Sequence, residues 1–460
     1  MRNPMFVYDE RLTDLILDYC RWRLALDPVP LDFGGARESL DTLLDGLLGP
    51  EGNDPRHVME VFDQLAEAVV SCDSPRFLSF IPAAPTKAAL LFDMVVSCSS
   101  IQGTSWLEAA GAVAAENQAL DILAGLAGFP AGAGGCFVSG GSSGNLSALV
   151  VARDTAAYRQ GRTPDHPRIA IGDEAHSSVG KALHVIGVEP LLVPTEDHRL
   201  TGAALEEALA ADPTDVVGVV ATAGTTNAGI VDDLAGVAAV AREHSLWFHV
   251  DAAYGGAGLL APSVRDRFAG IELADSFIVD PHKWLFAPFD CAALLYREPR
   301  LAKAVHTQDA AYLEILHRPA VTSDGAVDSD EDGPWNPSDY AIHLTRRARG
   351  LPLWFSMAVN GIDAYRDAVE TVLQTARQSA ELIRATPYLS LLREPELSVV
   401  LFSRHGWSRA DYEAWSAKLL TNQTGFVTPT TWEGEPVGRL AFLHPDTTLE
   451  MVEEILSSMA

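Results

Sequence analysis

A lone lysine, Lys283, stands in FIVDPHKWLFAPFDCAAL (residues 277–294), between an apolar strand pattern and a tryptophan–leucine pair. A surface lysine packs its stem and keeps its amine in water. A lysine held among apolar neighbours near a strand end has another use, because a desolvated amine attacks an aldehyde to form a Schiff base. Three more groups bear on that choice. Asp251 closes the apolar run WFHVD, where a carboxylate needs a cationic or hydrogen-bonding partner; service as a turn or cap residue is the alternative. His176, in DEAHSS, falls between a strand end and a helix start, as a stacking ring or as an ordinary capping histidine. The glycine turn SGGSSGN (residues 139–145) joins a strand to a helix, and the N–H groups and hydroxyls of such a turn cradle phosphate.

Each signal alone is weak, but together they are chemically coherent. Pyridoxal 5′-phosphate needs an anion site, an acid that keeps its ring nitrogen protonated, a ring against its face and an amine for the internal aldimine. Asp251 supplies the acid by Coulomb attraction to the pyridinium. Ala253, two residues on and on the same face, leaves room for a flat ring.

The elements that must position these groups follow from the apolar pattern. RIAIG, VEPLLV, DVVGVVATAG, LWFHVDAA and DSFIVDP are short apolar runs ended by small or polar residues, and helical patterns such as ENQALDILAGLAG and GAALEEALAA alternate with them. Strands apolar on both faces and separated by helices imply a mostly parallel sheet covered on both sides. Functional groups then gather at the strand ends. Thr201 is placed to cap the helix that follows it. The expected organisation is a helical N-terminal segment over 1–75, a large α/β domain over 76–350 and a small α+β C-terminal domain over 351–460. The acidic, Pro- and Gly-rich stretch 317–337 is expected to be a loop of the kind that forms mobile lids, with a solvated insertion as the alternative.

The chain has 460 residues and a formal net charge of −29. Such acidity disfavours nucleic acid and anionic membranes as partners. Five widely spaced cysteines without CxxC point to neither a disulfide framework nor a metal site. The N-terminus lacks a signal-peptide pattern and no apolar run is long enough to span a bilayer, so a cytoplasmic location is expected.

The motifs FIVDPHKWL, FDCAAL, HVDAAYGG, ATAGTTNAG, DEAHSS and GGSSGN occur in the order and spacing of the group II pyridoxal phosphate-dependent amino acid decarboxylases. The resemblance, to an aromatic-L-amino-acid decarboxylase-like pattern, runs from about Pro75 to Phe355 and more loosely beyond. It implies a fold type I (aspartate aminotransferase-like) homodimer with shared active sites. It also implies decarboxylation of an L-α-amino acid through an external aldimine and a quinonoid. Carried over by position, Lys283 resembles the Schiff-base lysine, Asp251 the partner of the ring nitrogen, Ala253 the alanine beneath the ring and His176 the stacking histidine. Gly141 and Ser142 match the phosphate turn, His282 the histidine that also reaches the phosphate, and Thr225 a threonine near the cofactor.

Two departures stand out. Animal relatives carry a lid tyrosine that protonates the carbanion, and this chain places Pro337 there, with Tyr340 the nearest tyrosine. Relatives lacking that tyrosine divert the carbanion to O2 and release an aldehyde, ammonia and CO2, so oxidative deamination is the second expectation. Ile81, Pro82 and Ala83 stand where those relatives have Phe-Pro-Thr, which implies a different substrate pocket; Trp106 either lines it or packs structurally. β-Elimination, and a non-catalytic fold type I binding protein, remain as further alternatives.

Overall fold

The computed structural model describes residues 3–318 and 333–460. Most of the expected lid, 319–332, lies outside the described residues.

Seven strands form the central sheet: β1 (Gly134–Val138), β2 (Arg168–Gly172), β3 (Glu189–Val193), β4 (Val216–Thr222), β5 (Trp247–Asp251), β6 (Ser276–Val279) and β7 (Ala292–Tyr296). Their order is β1-β7-β6-β5-β4-β2-β3. Strands β6, β5, β4, β2 and β3 run parallel, and β7 is antiparallel to both of its neighbours. Every residue of β1, β4, β5, β6 and β7 is buried, which is why these runs are apolar on both faces rather than alternating. Along β6, Phe277 and Val279 enter one core while Ile278 enters the core on the opposite face, following the period of two.

The side of the sheet that receives Phe277 continues into the C-terminal part without a break in the core, through Val399, Phe402, Leu440 and Ile455. That part holds an antiparallel sheet in the order β10-β11-β9-β8, made of β8 (Leu389–Leu391), β9 (Val399–Arg404), β10 (Thr430–Trp432) and β11 (Glu435–Ala441). The N-terminal helices Glu10–Leu24, Arg37–Leu44 and Pro55–Glu67 hold a single buried residue, Val61. They have no core of their own.

Register aligns the strand ends. Thr222 pairs with Asp251 and Asp251 with Ile278, so the carboxyl ends of β4, β5 and β6 open on one edge. The helix Gly141–Asp154 packs closely behind it: a Cβ on Gly144 would come 2.3 Å from Ile278 Cδ1. Any side chain there would push the helix, and the turn that begins it, off the sheet.

Candidate active site

At that edge lies a cavity of about 290 Å³, close to the lower end of small-molecule sites at roughly 300 Å³. Gly141 and Ser142 line it from the turn after β1, and His176 from the turn after β2. Asp251 and Ala253 enter from the end of β5, and His282 and Lys283 from the turn after β6. Five crossovers of one sheet thus bring together groups up to 142 positions apart, from Gly141 to Lys283.

Asp251 is buried, and both of its oxygens are occupied. Oδ1 accepts the Ala253 N–H at 3.1 Å and Oδ2 accepts Asn145 Nδ2 at 2.8 Å. His176 is exposed and caps the helix Ser177–Ile186, its Nδ1 accepting the Ser178 N–H at 3.2 Å. The capping role and a place on the cavity wall therefore coexist in one residue.

Lys283 lies not on β6 but four residues past its end, in a turn closed by its own N–H on Asp280 O at 2.9 Å. Its Nζ is 3.0 Å from Asp280 Oδ2. The same oxygen accepts the Gly141 N–H at 3.1 Å and lies 3.5 Å from His282 Nε2. Burial raises the Asp280 pKa, but Lys283 and His282 together outweigh it and hold the carboxyl below its ordinary value. Asp280 Oδ1 is buried without a hydrogen-bond partner. His282 is oriented by the Cys291 N–H, which donates to its Nδ1 at 2.9 Å.

Other expected residues fall elsewhere. Thr225 is buried, and its hydroxyl accepts the Ile230 N–H at 3.1 Å inside the loop after β4. The cavity wall there is made instead by Thr222, Gly224 and Thr226, because the loop turns the Thr225 side chain inward. Ile81, Pro82, Ala83 and Trp106 are not part of the cavity wall. Ile81 packs on the main core, and the Trp106 N–H donates to Asn336 Oδ1 at 3.0 Å. Pro337 is buried in the short 3-10 turn Pro337–Asp339, and Tyr340 is buried with its ring stacked on Trp335 at 4.4 Å.

The sequence reading missed Asn145, Ser178 and Asp280, all on the cavity wall, and His249 behind it. Asn145, Asp280 and His249 are polar residues inside quoted motifs, and His249 interrupts an otherwise apolar strand. That is the signal which would have found it.

The donor set fits pyridoxal phosphate. A Cβ on Gly141 would come 2.9 Å from Asp280 Oδ2 and 3.1 Å from Ala253 Cβ, so only glycine lets the turn close on the site. A helix N-terminus, an ionisable carboxylate and a primary amine face one cavity. Among the described residues no cluster of three His, Cys, Asp or Glu side chains is placed to hold a metal ion, and no helix is long and apolar enough to cross a membrane.

Residues 49–405 match the family model of the pyridoxal-dependent decarboxylase conserved domain. An aromatic-L-amino-acid decarboxylase of Bacillus atrophaeus is 29% identical over 458 residues, spanning 96% of this chain and 92% of that protein. An L-2,4-diaminobutyrate decarboxylase of Rhizobium meliloti (strain 1021) is 33% identical over 81% of this chain and 74% of its own length. The solved structure of Oryza sativa TDC with PLP and tryptamine superposes with a TM-score of 0.88 at 25% identity, over 100% of this chain and 99% of that one. The match over most of the chain, the fold and the donor set agree: the chain belongs to the pyridoxal phosphate-dependent amino acid decarboxylase family, with pyridoxal 5′-phosphate as its cofactor.

Proposed function

We propose that this protein removes the carboxylate of an L-α-amino acid as CO2 and releases the amine. The observation that carries the reading is the convergence of Lys283, Asp251 and the Gly141 turn on one cavity. Lys283 would hold the cofactor's aldehyde carbon covalently, Asp251 its ring nitrogen, and Gly141, Ser142 and His282 its phosphate. When bound, that cofactor supplies an electron sink for the pair left by the departing CO2.

The chain's own contributions follow from its geometry. Asp251, buried with a hydrogen bond on each oxygen, would face the ring nitrogen in a fixed orientation without reorganising. Ala253 and His176 act as walls that limit tilt. Asp280 receives the Lys283 amine at 3.0 Å, a resting place for it once a substrate amine has displaced it. A covered site favours loss of charge from a carboxylate.

The N-terminal helices are consistent with the proposed homodimer. Leu12, Ile16 and Trp22 on the first helix, and Val58 and Phe62 on the third, are exposed apolar side chains in the single chain, of the kind that an interface covers.

A second reading rests on Tyr340. Buried against Trp335, it is held away from the role of a lid proton donor, and residues 319–332 contain no tyrosine. In that reading O2 takes the electron pair and becomes hydrogen peroxide, water enters, and the products are CO2, ammonia and an aldehyde. The test follows dissolved O2, CO2 and product mass over a panel of L-amino acids. CO2 with an equimolar amine and no O2 uptake supports the first reading. Stoichiometric O2 uptake with an aldehyde replaces it with the second, and no CO2 from a cofactor-loaded protein ends both.

A further inference from the structure

Behind Asp251 runs a hydrogen-bond chain in which every proton can be placed. At its far end is the buried Trp247, whose Nε1–H can only donate; it donates to Ser276 Oγ at 2.9 Å. The Ser276 hydroxyl keeps its own proton free to donate to His249 Nδ1, 2.8 Å away. At the near end Asp251, as a carboxylate, can only accept. Asn145 therefore turns its NH2 to Asp251 Oδ2 at 2.8 Å and its carbonyl to His249 Nε2 at 2.9 Å. The near end requires a proton on His249 Nε2, and the neutral tautomer with that proton and a bare Nδ1 satisfies both ends. Its complete burial acts in the same direction, lowering its pKa to about 4 against the opposing pull of Asp251.

Asn145 is also a branch point. Its Nδ2 lies 3.3 Å from Ser178 Oγ, which is 2.8 Å from His176 Nδ1. Since that ring nitrogen also accepts the Ser178 N–H at 3.2 Å, neutral His176 carries its proton on Nε2. One amide side chain thus donates to Asp251 and connects it, through the Ser178 hydroxyl, to His176.

We infer that Asn145 and His249 are positioning residues for the reaction, and that the one-directional chain from Trp247 through Ser276, His249 and Asn145 fixes the charge and orientation of Asp251. Each link polarises the next, and both Asp251 oxygens meet donors only. The inference rests on the reading that Asp251 holds the cofactor's ring nitrogen.

The test has two arms on the full-length protein. Ring-15N histidine spectra, with His249 assigned by its loss in His249→Gln, report protonation of each nitrogen without reference to catalysis. The expected pattern is protonated Nε2 and bare Nδ1, unchanged between about pH 5.5 and 8; an Nδ1–H tautomer or an imidazolium overturns the chain. The second arm titrates the cofactor-free protein with pyridoxal 5′-phosphate, with folding checked by circular dichroism. Asn145→Asp, which cannot donate to Asp251, and His249→Leu should each bind roughly tenfold or more weakly, a 1.4 kcal/mol change or greater. His249→Gln keeps a donor at the Nε2 position and should restore binding. Equal affinity in all variants overturns the inference. Failure of the wild type itself to bind pyridoxal 5′-phosphate would instead sink the functional reading, while the spectra would still judge the chain.

Discussion

Lys283 Nζ lies 3.0 Å from Asp280 Oδ2, and that oxygen also accepts the Gly141 N–H at 3.1 Å. One carboxylate therefore ties the turn that carries the amine to the turn that begins the glycine-led helix. Asp280→Asn keeps the shape, and with Oδ1 unpartnered the amide oxygen can stand where Oδ2 stood, so what is removed is the charge that both donors meet. Hydrogen bonds to a charged group contribute about 1.5–3 kcal/mol, so the unfolding free energy from urea denaturation should fall by an amount in that range. The Asp280 carboxyl is held below its usual value. Its contribution is thus complete above the unfolded carboxylate value of about 3.9 and fades only as pH falls through the lower folded value. The offset between wild type and Asp280→Asn should accordingly be the same at pH 5.5 and pH 8; an offset that grows with pH across that range would contradict this assignment.

Asp251→Asn replaces a carboxylate with a neutral amide at the end of β5. Its neighbours force a conflict, since Oδ1 and Oδ2 both accept hydrogen bonds in the native protein and an amide nitrogen cannot. Loss of one preorganised electrostatic partner costs about 10²–10³-fold in kcat. Turnover under saturating cofactor checks this, and a loss under about tenfold would mean that Asp251 is a structural turn residue.

His249 gives the protein an acid-labile point. Its folded pKa, lowered to about 4, lies below the unfolded value of about 6.5. Between these values the unfolded state binds more protons, so stability is lost as pH falls through that window. Unfolding at pH 5 should show a loss of about 2 kcal/mol from this group relative to neutral pH. In His249→Gln that share should vanish, leaving a shallower decline between pH 7 and pH 5. Identical slopes in the two proteins would show that His249 titrates normally.

Arg346 and Glu116 form a buried bidentate pair, with both N–O distances 2.7 Å. Glu116 Oε1 accepts the Gly350 N–H as well. The pair fastens the segment after the expected lid to the helix Trp106–Leu126. Breaking a buried pair from one side leaves an uncompensated charge and costs about 3–5 kcal/mol. Glu116→Gln should be destabilised by that much in denaturant unfolding; a change under about 1 kcal/mol would show that the guanidinium is held by its other contacts.

The fold was legible where burial leaves a one-dimensional mark. Strands buried on both faces are mostly apolar, and Asp251 ends one of them, so its place at a strand's carboxyl end could be read directly. Lys283 was read at a strand end and lies in the following turn, because Asp280 and Pro281 already leave the sheet. Thr225 was expected near the cofactor, and the loop after β4 turns its hydroxyl onto Ile230 N–H, a choice made by backbone geometry that no motif encodes. Asn145, His249 and Asp251 were each quoted within motifs, yet the bonds joining Asn145 to the other two span 104 and 106 residues. Local spacing carries no trace of such pairing. The expectation for Ile81, Pro82, Ala83 and Trp106 concerned a pocket wall; in the single chain Ile81 packs on the core, Pro82 and Ala83 are buried and Trp106 is the first residue of a helix.

The most direct measurement is to load the protein with pyridoxal 5′-phosphate, reduce it with borohydride, digest it and locate the adduct by mass. If Lys283 holds the cofactor, the adduct falls on the peptide containing Lys283 and disappears in Lys283→Ala. An adduct confined to Lys87, Lys181, Lys303 or Lys418, or none at all, would contradict it.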